Sequence, residues 1–268
     1  MVPVVLLVTE TVSAQVTVAP PMLFIDSKKG IGNLYITNNS ASSQEVSISF
    51  AFGYPCSDSA GNGLMRYDDT AIAGDYSLNP YVKAYPRKFL LGPKQDQTVR
   101  LQVRLKKAPR DAFYFTRIKV TSNQQAPDVE KTIGDSITTR INFKFDQILP
   151  VFYRRGKVST GLTIHDISTT SGGGKLTVVA DVERTGGAPF IGCVRAELFS
   201  PDKKQVALSE STTAVYFRMK NRLELDISKA GNGEHRLVLT YETKRRDVAE
   251  KDLLQTKPVT KDVTVDLE

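Results

Sequence analysis

Apolar and polar residues alternate along most of the chain with a period of two, the pattern of half-buried β-strands. The segment Glu45–Phe52 is typical, with Val46, Ile48, Phe50 and Phe52 on one face. Turn-forming Gly, Pro, Asn and Ser residues separate these short segments. No long segment has the 3.6-residue period of an amphipathic helix, and only Asp247–Leu254 is compatible with about one helical turn. The pattern therefore predicts an all-β protein.

The spacing of the strands also predicts two domains. Several short strands at regular intervals are typical of antiparallel β-sandwiches, and 268 residues are enough for two of them. Arg154–Lys157, Arg-Arg-Gly-Lys, is hinge-like and follows a strongly apolar strand. We therefore expect an N-terminal domain at 15–156 and a C-terminal β-sandwich domain at 157–268. The longest irregular stretch is predicted at Pro55–Pro80.

The segment Asp135–Lys157 has the strongest strand pattern and changes character along its length. Its first half places apolar or β-branched residues on one face: Ile137, Thr139, Ile141, Phe143 and Phe145. From Ile148 to Tyr153 apolar residues occupy both faces, as in a strand covered on two sides. A long edge strand carrying bare Ile and Phe is an aggregation hazard unless something binds it.

The N-terminus resembles a secretory signal peptide. Val2–Val8 is an apolar run, and Val12-Ser13-Ala14 precedes Gln15 like a small-residue cleavage site, although the usual positive leader is missing. We predict a truncated signal at 1–14; the alternative is a first β-strand. No other run approaches the ~18 apolar residues of a membrane span. An exported protein without stable membrane insertion is expected.

The charge and the cysteine content are compatible with an exported, two-domain β protein and add no further function. The 36 Lys and Arg residues against 29 Asp and Glu give a net charge of +7, spread along the chain. Without a recognised motif, this mildly basic surface predicts no nucleic-acid binding. Cys56 and Cys193 lie far apart in sequence and do not form a disulfide framework. We predict two free thiols in different domains; the alternative is a bridge between the domains.

The motifs of catalysis and metal binding are missing from the sequence. The two histidines, His165 and His235, belong to no Cys/His cluster with metal-ligand spacing. No nucleophile elbow, phosphate-binding loop or dinucleotide fingerprint is present. Four loop carboxylates do not match a standard calcium loop: Asp58, Asp68, Asp69 and Asp75. We expect no catalytic residue, no cofactor and no metal, and therefore not an enzyme.

Four segments together resemble the PapD-like periplasmic pilus-assembly chaperones. They occur in the family's order: Leu34–Asn38 (LYITN), Leu91–Leu101 (LGPKQDQTVRL), Phe113–Arg117 (FYFTR) and Val151–Arg154 (VFYR). Each motif alone is weak, whereas four in order, behind a signal-like segment, make a more specific match. The resemblance covers the first domain, and the second domain is similar only in its sandwich pattern.

The resemblance implies two immunoglobulin-like β-sandwich domains at an angle and a chaperone function in the periplasm. In this family the last strand of the first domain completes a secreted pilin-like subunit that lacks one strand, without ATP, for delivery to an outer-membrane usher. Its alternating donor positions fall on Ile141, Phe143 and Phe145. The alternative is that these three side chains face their own sandwich core. Whether two copies cover each other's edges as a homodimer is left open.

One departure concerns the Lys and Arg that hold the subunit's terminal carboxylate in this family. Those positions fall on Pro150 and near Met22, and neither is basic. The candidate replacements are Arg87, Lys88, Arg117 and Arg154. For Arg154 the favoured alternative is an ion pair with Asp111 at the domain joint.

Two other functions compete with the chaperone hypothesis. A structural or adhesive extracytoplasmic β-sandwich protein would keep the Asp135–Lys157 strand covered. An enzyme or carbohydrate-binding module would need a cleft with convergent carboxylates or an aromatic platform. The chain has no Trp, which weakens the case for sugar stacking.

Overall fold

The computed structural model describes residues 15–105, 111–124 and 143–267. The first part of the chain contains β1 (Val16–Ala19), β2 (Leu23–Asp26), β3 (Ile31–Asn38), β4 (Gln44–Ala51), β5 (Tyr54–Ser57), β6 (Gly63–Arg66), α1 (Thr70–Tyr76), β7 (Val82–Tyr85), β8 (Lys88–Leu91), β9 (Asp96–Val103), β10 (Ala112–Gln124) and β11 (Lys144–Arg155). The second part contains β12 (Thr160–Gly172), β13 (Lys175–Gly186), β14 (Phe190–Phe199), β15 (Gln205–Val215), β16 (Arg218–Asp226), β17 (Gly233–Glu242), a 3-10 turn (Glu250–Asp252) and β18 (Val259–Leu267).

Two sheets enclose the first core. Their strand orders are β1-β3-β9-β7 and β2-β11-β10-β4-β8. The inward side of each alternating strand supplies fully buried residues, among them Leu34, Ile36, Val99, Leu101 and Ile118. The chain changes sheets between β1 and β2 at Pro20-Pro21, so β1 and β2 pair with different neighbours.

The second sandwich has a separate core between the sheets β12-β13-β16 and β15-β14-β17-β18. No sheet combines a strand that precedes Arg155 with one that follows Thr160 among the described residues. The prediction of an all-β protein with two β-sandwiches is therefore confirmed. Within the described ranges, no helix is long and apolar enough to cross a membrane.

The prediction that Pro55–Pro80 is irregular is wrong. This segment contains the β5–β6 hairpin and the helix α1, whose N-cap Asp69 accepts a hydrogen bond from the Ile72 amide at 3.0 Å. The short helical turn expected in Asp247–Leu254 is present at Glu250–Asp252.

An aromatic cluster joins the two sandwiches. Tyr216 of the second is fully buried, with its ring centroid 4.8 Å from that of Phe115 and 5.9 Å from that of Phe152 in the first. Phe52, Tyr54 and Phe113 from the first sandwich and Ala188, Ile191 and Leu253 from the second extend this cluster. The joint is therefore a packed apolar interface in addition to a covalent link.

The link itself turns sharply at Gly156, which has φ +73°. The Asp111 carboxylate lies within 2.2 Å of where a Cβ would be, and it accepts a hydrogen bond from the Lys157 amide at 3.2 Å. A side chain at position 156 would be strained by its φ and would also collide with Asp111.

Asn38 links the end of β3 to the β8–β9 turn. Its buried amide nitrogen donates to the carbonyl oxygens of Ser42, Leu91 and Gly92 at 2.8–3.0 Å, and its oxygen accepts from the Ser40 amide. The Gly92 carbonyl also accepts from the Gln95 amide at 3.2 Å, so Asn38 adds to the hydrogen bonds of this turn.

Replacing Asn38 with Ala should therefore lower the free energy of unfolding by about 2–4 kcal/mol, since a fully buried side chain loses hydrogen bonds to several backbone groups. Urea denaturation followed by circular dichroism measures this loss. The Asn123→Ala change, which removes a half-buried side chain whose hydrogen bond to Glu45 is exposed, is the control and should cost less than about 1 kcal/mol. Equal losses in the two variants would contradict the role given to Asn38.

Candidate partner-binding strand

Strand β11 is paired along its whole length on one side only. There it forms twelve consecutive antiparallel pairs with β10, from Asn123↔Lys144 to Ala112↔Arg155, without a register shift. β10 is itself paired with β4 on its other side, so it is fixed from both sides. This long ladder determines the position of β11.

On its other side β11 is paired only near its C-terminal end. β2 runs parallel to it and pairs with Val151–Arg154. Before Val151, no described strand pairs with this side of β11, although the Gln147 side chain donates to the Val16 carbonyl at 2.8 Å. Residues Lys144–Pro150 therefore form a sheet edge, which we call the free edge.

Burial follows the same division. Phe143 is 62% exposed, Phe145 46% and Ile148 45%, whereas Val151, Phe152 and Tyr153 are at most 5% exposed. The rings of Phe143 and Phe145 stack on each other with centroids 6.2 Å apart. Phe143 and Phe145 do not lie in the protein's own core, so the alternative proposed for them from the sequence is wrong. Ile137, Thr139 and Ile141 lie outside the described residues.

The exposed rings continue the inward face of the sandwich. Leu149, Val151 and Tyr153 of β11 contact the first core, and Phe145 has the same parity in the strand. Phe143 has this parity too and directly precedes the strand. One face of β11 therefore begins as exposed aromatic surface and ends inside the sandwich.

The backbone geometry shows where the free edge ends. The Ser27 amide donates to the Arg154 carbonyl at 3.1 Å, so the polar backbone groups of Arg154 point towards β2. Backbone groups alternate along a strand, so those of Lys144, Asp146, Ile148 and Pro150 point to the same side. Pro150 has no N–H to donate there, and proline is tolerated in a sheet at such an edge.

A polar pair supports the exposed half of β11 against β10. The Lys119 ammonium lies 2.7 Å from the Asp146 carboxylate, which also accepts a hydrogen bond from the Thr121 hydroxyl at 2.5 Å. These two hydrogen bonds, Lys119 first, lower the pKa of Asp146 below its ordinary value of 3.8. The pair stabilises the end of the ladder that lacks core contacts.

Arg117 is the cation next to the end of the free edge. It lies directly opposite Pro150 in the β10–β11 pairing. Its Nε donates to the Gly53 carbonyl at 3.3 Å and its Nη2 lies 3.7 Å from the Met65 sulfur. No ion pair joins it to a carboxylate among the described residues. Arg117 is therefore half-buried and held in place by Gly53 and Met65. No carboxylate of the described residues neutralises its charge.

Arg117 also lies beside the domain joint. Burial raises the pKa of Tyr216 to about 12, and the positive charge of Arg117 opposes this rise. Arg117 is two residues from Phe115 of the aromatic cluster on the same face of β10 and is opposite Pro150 at the end of the free edge.

Two of the other three cations proposed from the sequence lie elsewhere. Arg87 and Lys88 belong to the β8 edge, which β4 and β10 separate from β11 in the sheet. Arg87 donates to the Ile48 carbonyl at 3.2 Å. At about 4.8 Å per strand spacing, these residues are roughly 14 Å from β11, so the structure does not bring them to the free edge.

The proposed ion pair between Arg154 and Asp111 is wrong. Arg154 pairs with Asp26 of β2, with Nη2 and Oδ2 2.9 Å apart. The parallel pairing of β2 with β11 places these two residues opposite each other. Asp111 instead binds the backbone of the link at Lys157. Both contacts stabilise the joint, and neither leaves a cation free at the edge of β11.

The described residues contain no group of three or more His, Cys, Asp or Glu side chains placed to hold a metal ion. Cys56 and Cys193 are both free thiols.

Several solved structures are similar to this chain. They include a complex of the Salmonella enterica SafA pilin with the SafB chaperone, with 11% identity over 94% of this chain and 98% of that chain and a TM-score of 0.45. The E. coli chaperone DraB has the same identity, coverage and TM-score. A chaperone–tip adhesion subunit complex, CsuC–CsuE of Acinetobacter baumannii, has 9% identity over 92% of this chain and 98% of that chain, with a TM-score of 0.44. The sequence matches no protein-family model and no curated protein.

The Lys119–Asp146 pair leads to a pH prediction. Because folding depresses the pKa of Asp146 below 3.8, its contribution to stability is complete above that value and is lost as the pH falls through the lower, folded-state pKa. Asp146→Asn should therefore reduce the loss of stability between about pH 5 and pH 2. Urea midpoints across this range measure the slope.

Lys119→Met is the matched variant, since it removes the main cause of the lowered pKa and should also flatten the profile. A profile of Asp146→Asn that runs parallel to the wild type would show that the pair contributes nothing.

Proposed function

We propose that this protein is a periplasmic chaperone that binds a secreted, pilin-like β-sandwich subunit by adding the free edge of β11 to it. The observation that carries the proposal is the exposure of Phe143, Phe145 and Ile148 on a strand whose edge has no described partner before Val151. Soluble proteins normally cover, shorten or charge such an edge. An exposed apolar edge is therefore best explained as a binding surface.

Strand addition uses both features of this edge. The outward backbone groups of Lys144, Asp146 and Ile148 are available for main-chain hydrogen bonds to an added strand. Phe143 and Phe145 project from one face and would enter the groove left by a missing strand in the subunit. Since about half of each side chain is still exposed, their burial is worth about 1.5–3 kcal/mol gross in total, before the costs of ordering both partners.

The same strand stays anchored while it binds. Val151, Phe152 and Tyr153 remain packed, and the β10 ladder continues through the exposed half. The edge is thus presented in extended form, so little backbone entropy is lost on binding. No cofactor or nucleotide is required for this mode of binding.

We further propose that Arg117 binds the terminal carboxylate of the subunit. It is the cross-strand neighbour of Pro150, the position on which the family's lysine falls by resemblance. Its guanidinium has neutral partners, Gly53 and Met65, so its charge is free to pair with an incoming anion. The identity of the partner as a pilin-like subunit, and delivery to an outer-membrane usher, rest on the resemblance of the sequence motifs.

The structural or adhesive alternative has less support. It requires that the strand be covered, whereas Phe143 and Phe145 are exposed in the described part of the chain.

Capture of subunits tests the proposal. The wild type and a Phe143→Ser, Phe145→Ser variant are used to bind proteins from a periplasmic extract, and bound proteins are identified by mass spectrometry. We expect a small β-rich secreted subunit on the wild type and an affinity lower by about tenfold or more in the variant, since about 1.5–3 kcal/mol of apolar burial is removed.

The matched control is Leu90→Ser, Leu208→Ser, which removes two equally exposed apolar side chains away from the free edge. This control should bind like the wild type. Both double variants should unfold at nearly the wild-type urea concentration, because all four side chains are exposed. Equal binding by the two double variants would contradict strand donation at this edge.

The role of Arg117 is tested on the captured subunit. Arg117→Met should weaken binding by about 10- to 100-fold, the worth of a hydrogen bond to a charged group, while Arg117→Lys should lose less. A subunit with an amidated C-terminus should bind the wild type and Arg117→Met equally. Arg87→Met, on the far edge of the sheet, is the control. If Arg117→Met still binds the amidated subunit about 10- to 100-fold more weakly than the wild type does, Arg117 does not bind the carboxylate.

A further inference from the structure

The β5–β6 hairpin belongs to the first part of the chain but lies on the second sandwich. The Lys220 amide of β16 donates to the Ser57 hydroxyl at 2.7 Å, and the Lys220 ammonium donates to the Ser59 carbonyl at 3.0 Å. Both contacts are made by the tip of the hairpin, 161 residues or more away in sequence from its partner. The hairpin is therefore a bridge between the two sandwiches, separate from the covalent link.

The tip fits closely against the second sandwich. Gly61 has φ +82°, and a Cβ at this position would lie 3.1 Å from the Cβ of Arg222 and 3.3 Å from a methyl group of Val179. The backbone of the hairpin thus lies directly on the outer face of β13 and β16. A β-branched residue at position 61 would be strained by its φ, and the hairpin would have to shift to fit its side chain.

The helix α1 makes a second bridge next to the first. Arg184 of β13 donates to the Tyr76 hydroxyl at 2.8 Å, and its guanidinium carbon lies 5.3 Å from the Tyr76 ring centre and 4.8 Å from that of Phe217. Tyr54, at the base of the hairpin, packs edge-on against Phe217 with centroids 4.9 Å apart. The arginine is thus held between aromatic rings of both sandwiches.

Two sandwiches joined by the link at Gly156–Ser159 and by one small aromatic cluster would be expected to retain some motion relative to each other. Arg184 lies near the link, since it donates to the Gly186 carbonyl and Gly186 packs against Ser159. The hairpin tip contacts β13 farther along the strand, at Val179. Rotation about the link would have to break this second set of contacts. The hairpin also supplies Met65 and lies beside Gly53, the two partners of Arg117.

We propose that residues 54–76, the β5–β6 hairpin with α1, lock the two sandwiches into a single arrangement. The segment acts as a brace with two groups of contacts: the hairpin tip on β16, where Gly61 fits closely, and the rings of Tyr54 and Tyr76 around Phe217 and Arg184. This proposal does not depend on the chaperone function, since it concerns the free protein.

The experiment compares Gly61→Val with two matched glycine variants. Gly231→Val has a similar positive φ but open space around it, so it reproduces the backbone strain without a collision. Gly63→Val lies in the same hairpin, also in open space. Small-angle X-ray scattering of the full chain measures the spread of interdomain distances, and hydrogen exchange read by mass spectrometry in increasing urea gives a midpoint for each sandwich.

In the wild type and in both control variants we expect one narrow distance distribution and coincident midpoints. In Gly61→Val the distribution should broaden, and the midpoints of the two sandwiches should separate by about 0.5 M urea or more, as two domains that have lost their coupling unfold independently.

If Gly61→Val does not fold, Arg184→Met tests the brace independently. It removes the charge between the rings while retaining an apolar chain of similar length, and Arg236→Met, at an exposed ion pair within the second sandwich, is its control. Separated midpoints in Arg184→Met but not in Arg236→Met support the brace. Coincident midpoints and unchanged scattering in every folded variant at positions 61 and 184, or separate midpoints already in the wild type, would overturn it.

Discussion

The pairing of β10 with β11 is the interaction on which the rest of the structure depends. Because β4 holds β10 from its other side, twelve pairs are enough to keep β11 extended beyond the point where β2 and the core stop supporting it. A shift of this ladder by one residue would exchange the two faces of β11. Phe143 and Phe145 would then leave the face that continues the core, and Phe152 would leave the domain joint.

The two faces of these strands serve different purposes. On the inner face, Val151 and Tyr153 complete the first core. On the outer face, Phe115 and Phe152 pack against Tyr216, so the domain joint is built on the same two strands as the free edge. Arg117 and Pro150 lie between them, opposite each other in the ladder. The joint, the cation and the edge are therefore positioned by one element of structure.

Features that depend on local alternation were predictable from the sequence. The strands, the shared face of Phe143 and Phe145, and the change of pattern near Ile148 all follow from a period of two. The β5–β6 hairpin was not, because it is stabilised by Lys220 and by the close approach of Gly61 to Arg222, contacts that no local pattern records. The partner of Arg154 was missed for the same reason, since the parallel pairing of β2 brings Asp26 to it across 128 residues.

Under the proposed function, the anchoring of β11 allows one molecule to bind subunits repeatedly. In this mode of binding, β11 remains paired with β10 while the subunit is bound to its edge. When the subunit acquires its missing strand from another source, β11 is released in the conformation it already had, with Val151, Phe152 and Tyr153 still in place. No refolding step separates one subunit from the next. A single copy would therefore serve many subunits in succession, and a cell would need far fewer copies of it than of the subunit.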